Sequence, residues 1–312
     1  MSHQSLPSAA VQPLFTDDVL ARLRRVILRS RRMANSGLTG EHRSLRKGPS
    51  PEFADFKAYT VGDDYRRIDW RAYARFDALY VRESEITTEY DVHILADVSR
   101  SMDWSSDQHL PTKLRSTLQL VGALGYLSLW HFDRLSITPV GSDAQRRFGP
   151  AQGRINIRPM LSWLERLHAQ REGDLVSALS RLVHERRRAG IMLVVSDFLS
   201  EDLGRMEAAM RVAIGRGWEI ALIQVSDPAE VDPARFGALA ETHRAIDIES
   251  RQAMPIRGDA GSVAAYRERR AAWVDELRRL GGGARTMHME FSTGQPVDQS
   301  LVQLLRNVGL VS

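Results

Sequence analysis

The chain has no cysteine in 312 residues. A disulfide framework, a thiolate nucleophile and a cysteine-ligated zinc or iron–sulfur centre are therefore excluded. Lysine is almost as scarce: of 43 basic residues only Lys47, Lys57 and Lys113 are lysines. None lies in a Gly-x-x-x-x-Gly-Lys-Ser/Thr loop, so no P-loop is evident. Gly215-x-Gly217 follows a helical pattern and precedes a strand pattern, the reverse of the order a dinucleotide fingerprint requires. No Gly-x-Ser-x-Gly elbow and no His-Glu-x-x-His pair occurs, and His93 and His131 read as packing or surface residues. The longest nearly uncharged stretch, Ser116 to Trp130, is shorter than the roughly 20 apolar residues a bilayer span needs. The beginning also lacks the basic-then-apolar pattern of a secretory signal. These absences lead us to expect a soluble, cytoplasmic, non-catalytic protein.

What is present is a hydrophobic content of 43%, enough to build a sizeable core. The net charge of +4 is a small excess of 43 basic over 39 acidic residues, but it is unevenly placed. Arg22, Arg24, Arg25, Arg29, Arg31, Arg32, Arg43, Arg46 and Lys47 are opposed in that span only by Glu41. Residues 1–12 read as a flexible tail. From Asp18 to about Met33, the apolar positions Val19, Leu20, Leu23, Val26 and Ile27 follow helical spacing among the arginines. Such a helix suits a phosphate backbone or an anionic membrane surface, with Arg146-Arg147 and Arg186-Arg187-Arg188 extending the field. Its plainer reading is a solvated helix face. Residues 13–85 are read as a basic amino-terminal region and residues 86–312 as the main domain.

Beyond Ile86 the pattern becomes regular. Val92 to Ala96, Leu135 to Val140, Ile191 to Ser196, Glu219 to Val225, Ala245 to Ile248 and Thr286 to Phe291 have strand character. Helical patterns lie between most of them, at Leu114 to Trp130, Ile157 to Leu167, Leu175 to Arg187, Leu203 to Arg216 and Val263 to Leu280. A last one lies near Asp298 to Asn307. Strands alternating with helices of this length predict an α/β fold, a mainly parallel sheet flanked by helices. Functional loops should then lie at the carboxyl ends of the strands.

The first buried strand delivers Asp97-x-Ser99-x-Ser101-Met102, one carboxylate and two hydroxyls in a short loop. Hard divalent cations favour such oxygen donors. Asp197 directly follows the apolar run Ile191 to Val195 and occupies an equivalent position at a second strand end. A cation would relieve the repulsion of two such carboxylates if the strands are neighbours. The competing reading of these residues is helix capping. A second constellation, Gly62-Asp63-Asp64-Tyr65-Arg66-Arg67-Ile68-Asp69-Trp70-Arg71, packs alternating charge around a large aromatic. Arg66, Asp69 and Arg75 suit partly buried ion pairs. Alternatively, Trp70 or Tyr73 beside Arg71 is an aromatic anchor for a partner.

The chain resembles the von Willebrand factor A-like proteins and, more narrowly, the bacterial domain-of-unknown-function family 58, whose members often accompany MoxR-type AAA+ ATPases. The resemblance spans about residues 37 to 250. It rests on Gly40-x-x-Arg43-Ser44, Gly48, Glu52-Phe53, Tyr59, Gly62-Asp63, Arg66-x-Ile68-Asp69-Trp70, Ala74-Arg75 and Asp97-x-Ser99-x-Ser101-Met102. It implies a von Willebrand factor A-like sheet and a metal-ion-dependent adhesion site. That site would be built from Asp97, Ser99 and Ser101 with a threonine from a second loop and an aspartate from a third, the last matching Asp197. At the threonine position the segment Glu172-Gly173-Asp174 places a carboxylate instead, making Asp174 a further candidate ligand, with Ser177 or Thr112 as alternative hydroxyl donors. The implied cofactor is Mg²⁺, with Mn²⁺ or Ca²⁺ as alternatives. The implied function is an adaptor between a MoxR-type ATPase and a client protein. A basic binder of nucleic acid or anionic membrane is the first alternative, and a metal-dependent hydrolase the second.

Overall fold

The computed structural model describes residues 13–23, 53–59, 68, 70, 72–73, 78–84, 90–141, 147–170, 173–186, 188–199, 201–232, 242–246, 253–257, 260–297 and 299. The expected tail (1–12), the second half of the basic helix (24–33) and, apart from Gln299, the last helical pattern lie outside them. The chain divides into two compact units, Gly40–Glu89 and the remainder, Met1–Thr39 with Tyr90–Ser312.

In the smaller unit, strands β1 (Phe53–Ala58) and β2 (Tyr80–Ser84) pair antiparallel, with a register shift between Phe53 and Asp55. The larger unit is built on β3 (Asp91–Asp97), β4 (Arg134–Val140), β5 (Phe148–Ala151), β6 (Ile191–Ser196), β7 (Glu219–Ser226) and β10 (Thr286–Ser292). These form one six-stranded sheet in the order β10-β7-β6-β3-β4-β5, in which every pair is parallel except β4 with β5. Between them run helices α1 (Lys113–Trp130), α2 (Ile157–Leu164), α3 (Leu175–Glu185), α4 (Leu203–Gly215) and α5 (Ala260–Leu280). The mainly parallel sheet flanked by helices is the expected fold class.

Alternation along the strands explains why both faces are covered. Val92, Ile94 and Ala96 of β3 enter one core cluster with α1, α2 and the segment around Leu14 and Leu23. Leu95 of the same strand enters the other cluster, with α3, α4 and Leu277 and Leu280 of α5. Strands buried on both faces are apolar at nearly every position, as parallel strands between helix layers must be.

Two elements depart from expectation. The segment around Ala245 does not join the main sheet: β8 (Thr242–Ile246) pairs antiparallel with β9 (Ala253–Arg257) in a separate two-stranded sheet. A short apolar run has no periodicity that identifies its partner. Strand β5 was not anticipated. Its four residues include Gly149 and Pro150, and a sheet edge tolerates a proline that cannot donate to the ladder. Among the described residues, no helix is long and apolar enough to cross a membrane.

Candidate functional site

Strands β3 and β6 are direct neighbours, with Val92 opposite Ile191 and Ala96 opposite Val195. The parallel register brings Asp97 and Asp197 out at the same sheet edge. Asp97 is 6% and Asp197 2% exposed. β7, on the other side of β6, ends in Ser226-Asp227 just as β6 ends in Ser196-Asp197. Three adjacent strands therefore deliver three buried aspartates.

The loop after β3 is held rigidly. Val98 N–H donates to Val140 O at 2.9 Å, and Gln170 N–H donates to Val98 O at 3.0 Å. Met102 is wholly buried and anchors the single 3₁₀ turn Arg100–Met102. Ser99 precedes this turn, yet its side chain makes no capping bond. Its Oγ lies instead 3.1 Å from Ser101 Oγ. Asp97 sits behind them, Oδ1 accepting from Ser99 N–H at 2.9 Å and Oδ2 from Ser196 Oγ at 2.5 Å. Burial pushes the Asp97 carboxyl above its ordinary range and the Asp197 charge adds to this, against the opposing hydrogen bonds from Ser196 and Ser99. A nearby positive charge would relieve that penalty.

Asp197 already has one. Lys113, at the first residue of α1 and 2% exposed, donates through Nζ to Asp197 Oδ2 at 2.6 Å and to Glu230 Oε1 at 2.7 Å. Burial alone would lower the lysine's affinity for its proton. The two carboxylates outweigh it and hold the ammonium above the usual lysine range. Glu230 in turn closes a capping box on the single helical turn Pro228–Val231: its Oε2 accepts from Asp227 N–H at 2.9 Å, while Asp227 Oδ1 accepts from Ala229 N–H. Asp227 also accepts from Ser106 N–H (3.0 Å) and Ser106 Oγ (2.5 Å), tying the loop before α1 to the end of β7. Glu201 stands nearby, half-buried, its carboxyl raised by burial and by the charges of Asp174 and Asp97 against a bond from Leu175 N–H.

The other candidates lie elsewhere. Asp174 is exposed and caps α3, its Oδ1 accepting from Ser177 N–H at 2.8 Å and its Oδ2 from Ser177 Oγ at 2.6 Å. Burial works against its charge, but the Ser177 bonds and Arg205 together outweigh it and hold the carboxyl below its usual range. The Ser177 hydroxyl is thus engaged by the cap, and Thr112 accepts from Arg115 N–H as the cap of α1. Among the described residues, no three carboxylate or histidine side chains converge as a metal-ligand group. The oxygen donors that these strand ends bring to one edge are the Ser99–Ser101 hydroxyl pair and the carboxylates of Asp97 and Asp197. Neutral oxygens beside a buried, destabilised aspartate fit a hard divalent ion. In the smaller unit Trp70 is 66% exposed and meets Tyr73 edge-to-face at 6.3 Å. Arg66, Asp69, Arg71 and Arg75 lie outside the described residues. Of the basic pairs, Arg147 is engaged by Glu185 at 2.6 Å.

Sequence reasoning missed Lys113, Ser196, Asp227 and Glu230. A signal existed for three of them: Lys113 is one of three lysines, and Val-Ser-Asp, which holds Ser196 and Asp227, recurs at the ends of β6 and β7.

Comparison with known proteins places this architecture in a family. The family model described as "Protein of unknown function DUF58" matches residues 55–265. The chain belongs to this family. Relatives of the chain include an uncharacterized protein of Mycobacterium tuberculosis and one of Mycobacterium bovis, each 28% identical over 215 residues. The match covers 68% of this chain and 66% of each relative, somewhat less than two thirds of their length. Among solved structures, the SpRpn10 VWA domain aligns at a TM-score of 0.40 and 10% identity, over 70% of this chain and 95% of that one. Manganese-loaded Plasmodium vivax TRAP protein aligns at 0.32 and 14%, over 44% and 57%.

Proposed function

We propose that this DUF58 chain is a non-catalytic protein-interaction module that holds one divalent cation, Mg²⁺ foremost, through Asp97, Ser99, Ser101 and Asp197. The observation that carries this reading is the meeting, at one sheet edge, of two buried strand-end aspartates with a hydroxyl pair that caps nothing. A bound divalent ion would supply an electrophilic position for a partner's carboxylate oxygen. The chain's own residues prepare that contact: Met102 and the Val98 backbone bonds fix the loop, and Ser196 and Ser99 N–H orient the Asp97 carboxylate. From the family resemblance we infer the partners to be a MoxR-type AAA+ ATPase and a client protein, met in the cytoplasm. The exposed Trp70 offers a second, metal-independent anchor.

Calorimetric titration of the purified chain with Mg²⁺ or Mn²⁺ should show one site, lost in Asp97→Asn and in Ser99→Ala with near-ultraviolet dichroism retained. Unchanged binding in folded Asp97→Asn would overturn the assignment. Captures from native lysate at two salt concentrations, each with and without EDTA, test the adaptor. Its ATPase or client should be released by the chelator. Capture of nucleic acid or anionic vesicles that ignores EDTA but collapses with salt, and no protein partner, would replace the adaptor with a phosphate-backbone or membrane binder.

A further inference from the structure

Helix α1 begins with a buried charge. After Arg115 the helix is uncharged to its end, and Lys113 is sealed from solvent at 2% exposure. An ammonium in such a place is expensive unless it is paired and hydrogen-bonded. Here both conditions hold: Asp197 lies at 2.6 Å and Glu230 at 2.7 Å, and the ring of Trp104 stands 5.7 Å from Nζ. The remaining oxygens of both acids are also occupied, Asp197 Oδ1 by Leu199 N–H at 3.1 Å and Glu230 Oε2 by Asp227 N–H at 2.9 Å. The lysine is therefore a fixed counter-charge, locked by two elements that follow neighbouring strands.

Resting on the divalent-cation reading above, we infer that Lys113 is the specificity-determining residue of the strand-edge site. It shares Asp197 with the ion and holds Glu230 for itself, which prevents the two acids from gathering a second divalent ion and lowers the affinity of the Asp97–Ser99–Ser101–Asp197 site for the first. The formal charge explains what this achieves. Asp97, Asp197, Asp227 and Glu230 carry four negative charges and Lys113 one positive, leaving three. A dication reduces the sum to one negative charge with the lysine present and to two without it. An approaching partner carboxylate meets less repulsion in the first case. Lys113 exchanges some affinity for the bare ion for acceptance of an anionic partner group.

The test uses the full chain and Mn²⁺, titrated by calorimetry and by electron paramagnetic resonance, in wild type, Lys113→Met, Glu230→Gln and the double variant. A fixed unit charge close to a dication should be worth roughly tenfold or more in Kd. Lys113→Met should therefore bind Mn²⁺ at least about tenfold more tightly, or take up a second ion. Glu230→Gln should bind more weakly, and the double variant, whose net charge equals wild type, should return near the wild-type Kd. A purely structural lysine would lower metal-free stability without this pattern in Kd. Lys113→Met that is folded and within about twofold of wild type overturns the inference. If Lys113→Met does not fold, an unchanged Kd in Glu230→Gln overturns it instead. Wild-type binding that Asp97→Asn abolishes but Lys113→Met does not tighten leaves the site reading standing and removes this one. Binding only in Lys113→Met does the opposite, and binding in no variant removes both.

Discussion

His93 shows how one residue in the sheet takes its chemistry from its surroundings. It lies on central strand β3 between Ser136 and Met192, 4% exposed, with its ring 5.3 Å from that of Trp218. Its Nδ1 is buried without a hydrogen-bond partner among the described residues. Burial, reinforced by the charges of Arg186 and Arg147 against Asp91, lowers its pKa from 6.5 to about 4. The folded value lies below the unfolded one, so the unfolded chain takes up the proton first as the pH falls. The stability this group contributes is complete above 6.5 and is lost as the pH falls through 6.5 toward 4. A shift of this size corresponds to about 3 kcal/mol in full, of which about 2.5 kcal/mol is lost by pH 4.5. Urea unfolding at pH 7.5 and at pH 4.5 should show wild type losing that much more than His93→Gln, whose side chain does not titrate. An equal loss in both would assign the acid sensitivity to other groups.

At the scale of elements, two kinds of candidate aspartate separate. Asp97 and Asp197 are buried in the sheet edge, whereas Asp174 is exposed at the start of α3 and bonds to Ser177 N–H and Oγ. Its contact with Arg205 is long, at 3.5 Å, between exposed side chains, and such pairs contribute little. Asp174→Ala should thus cost about 1 kcal/mol, the usual loss for a helix cap, measured by denaturant midpoint. The same variant should bind Mn²⁺ with unchanged affinity. A lost metal site in this variant would return Asp174 to the ligand set. Elements themselves were legible where burial imposed a period. α1, α3, α4 and strands β3, β4, β6 and β7 lie within a residue or two of their patterns, because each presents apolar side chains to a core on one or both faces. β5 carried no such pattern, and β8 showed strand character without revealing its partner.

The whole molecule draws its amino-terminal segment into the main core. Leu14 is 1% and Leu23 0% exposed, and both belong to the cluster beneath α1. Leu14 N–H donates to Glu165 Oε1 at 2.8 Å, Gln119 Nε2 donates to Leu14 O at 3.1 Å, and Arg115 binds Pro13 O. Gly122 makes room for this segment, since a Cβ there would stand 2.9 Å from Leu14 Cδ2 and 3.0 Å from Phe15 Cε2. Leu14→Ala should therefore destabilise the chain by about 2 to 4 kcal/mol, as core truncations do. A loss under about 1 kcal/mol on denaturant unfolding would mean that the segment lies on the sheet unit without supporting it. The sequence showed an amphipathic arginine-rich helix here but not what its apolar side faces. Its period specifies a stripe, and Val19, Leu20 and Leu23 of that stripe pack into the core cluster that also holds α1, about a hundred residues further on.

The sequence by itself determined the layered α/β architecture, because alternating periods of two and near 3.6 leave few ways to bury both kinds of apolar face. It also determined the Asp97–Ser99–Ser101 loop and its companion Asp197, because each directly ends an apolar strand. Only the tertiary structure decided which acids share an edge, since that depends on the order β7-β6-β3 rather than on chain order. The same holds for Lys113. Nothing local marks a helix-start lysine as buried, and its partners come from 84 and 117 residues away, brought to it by parallel strands that all end on one side of the sheet.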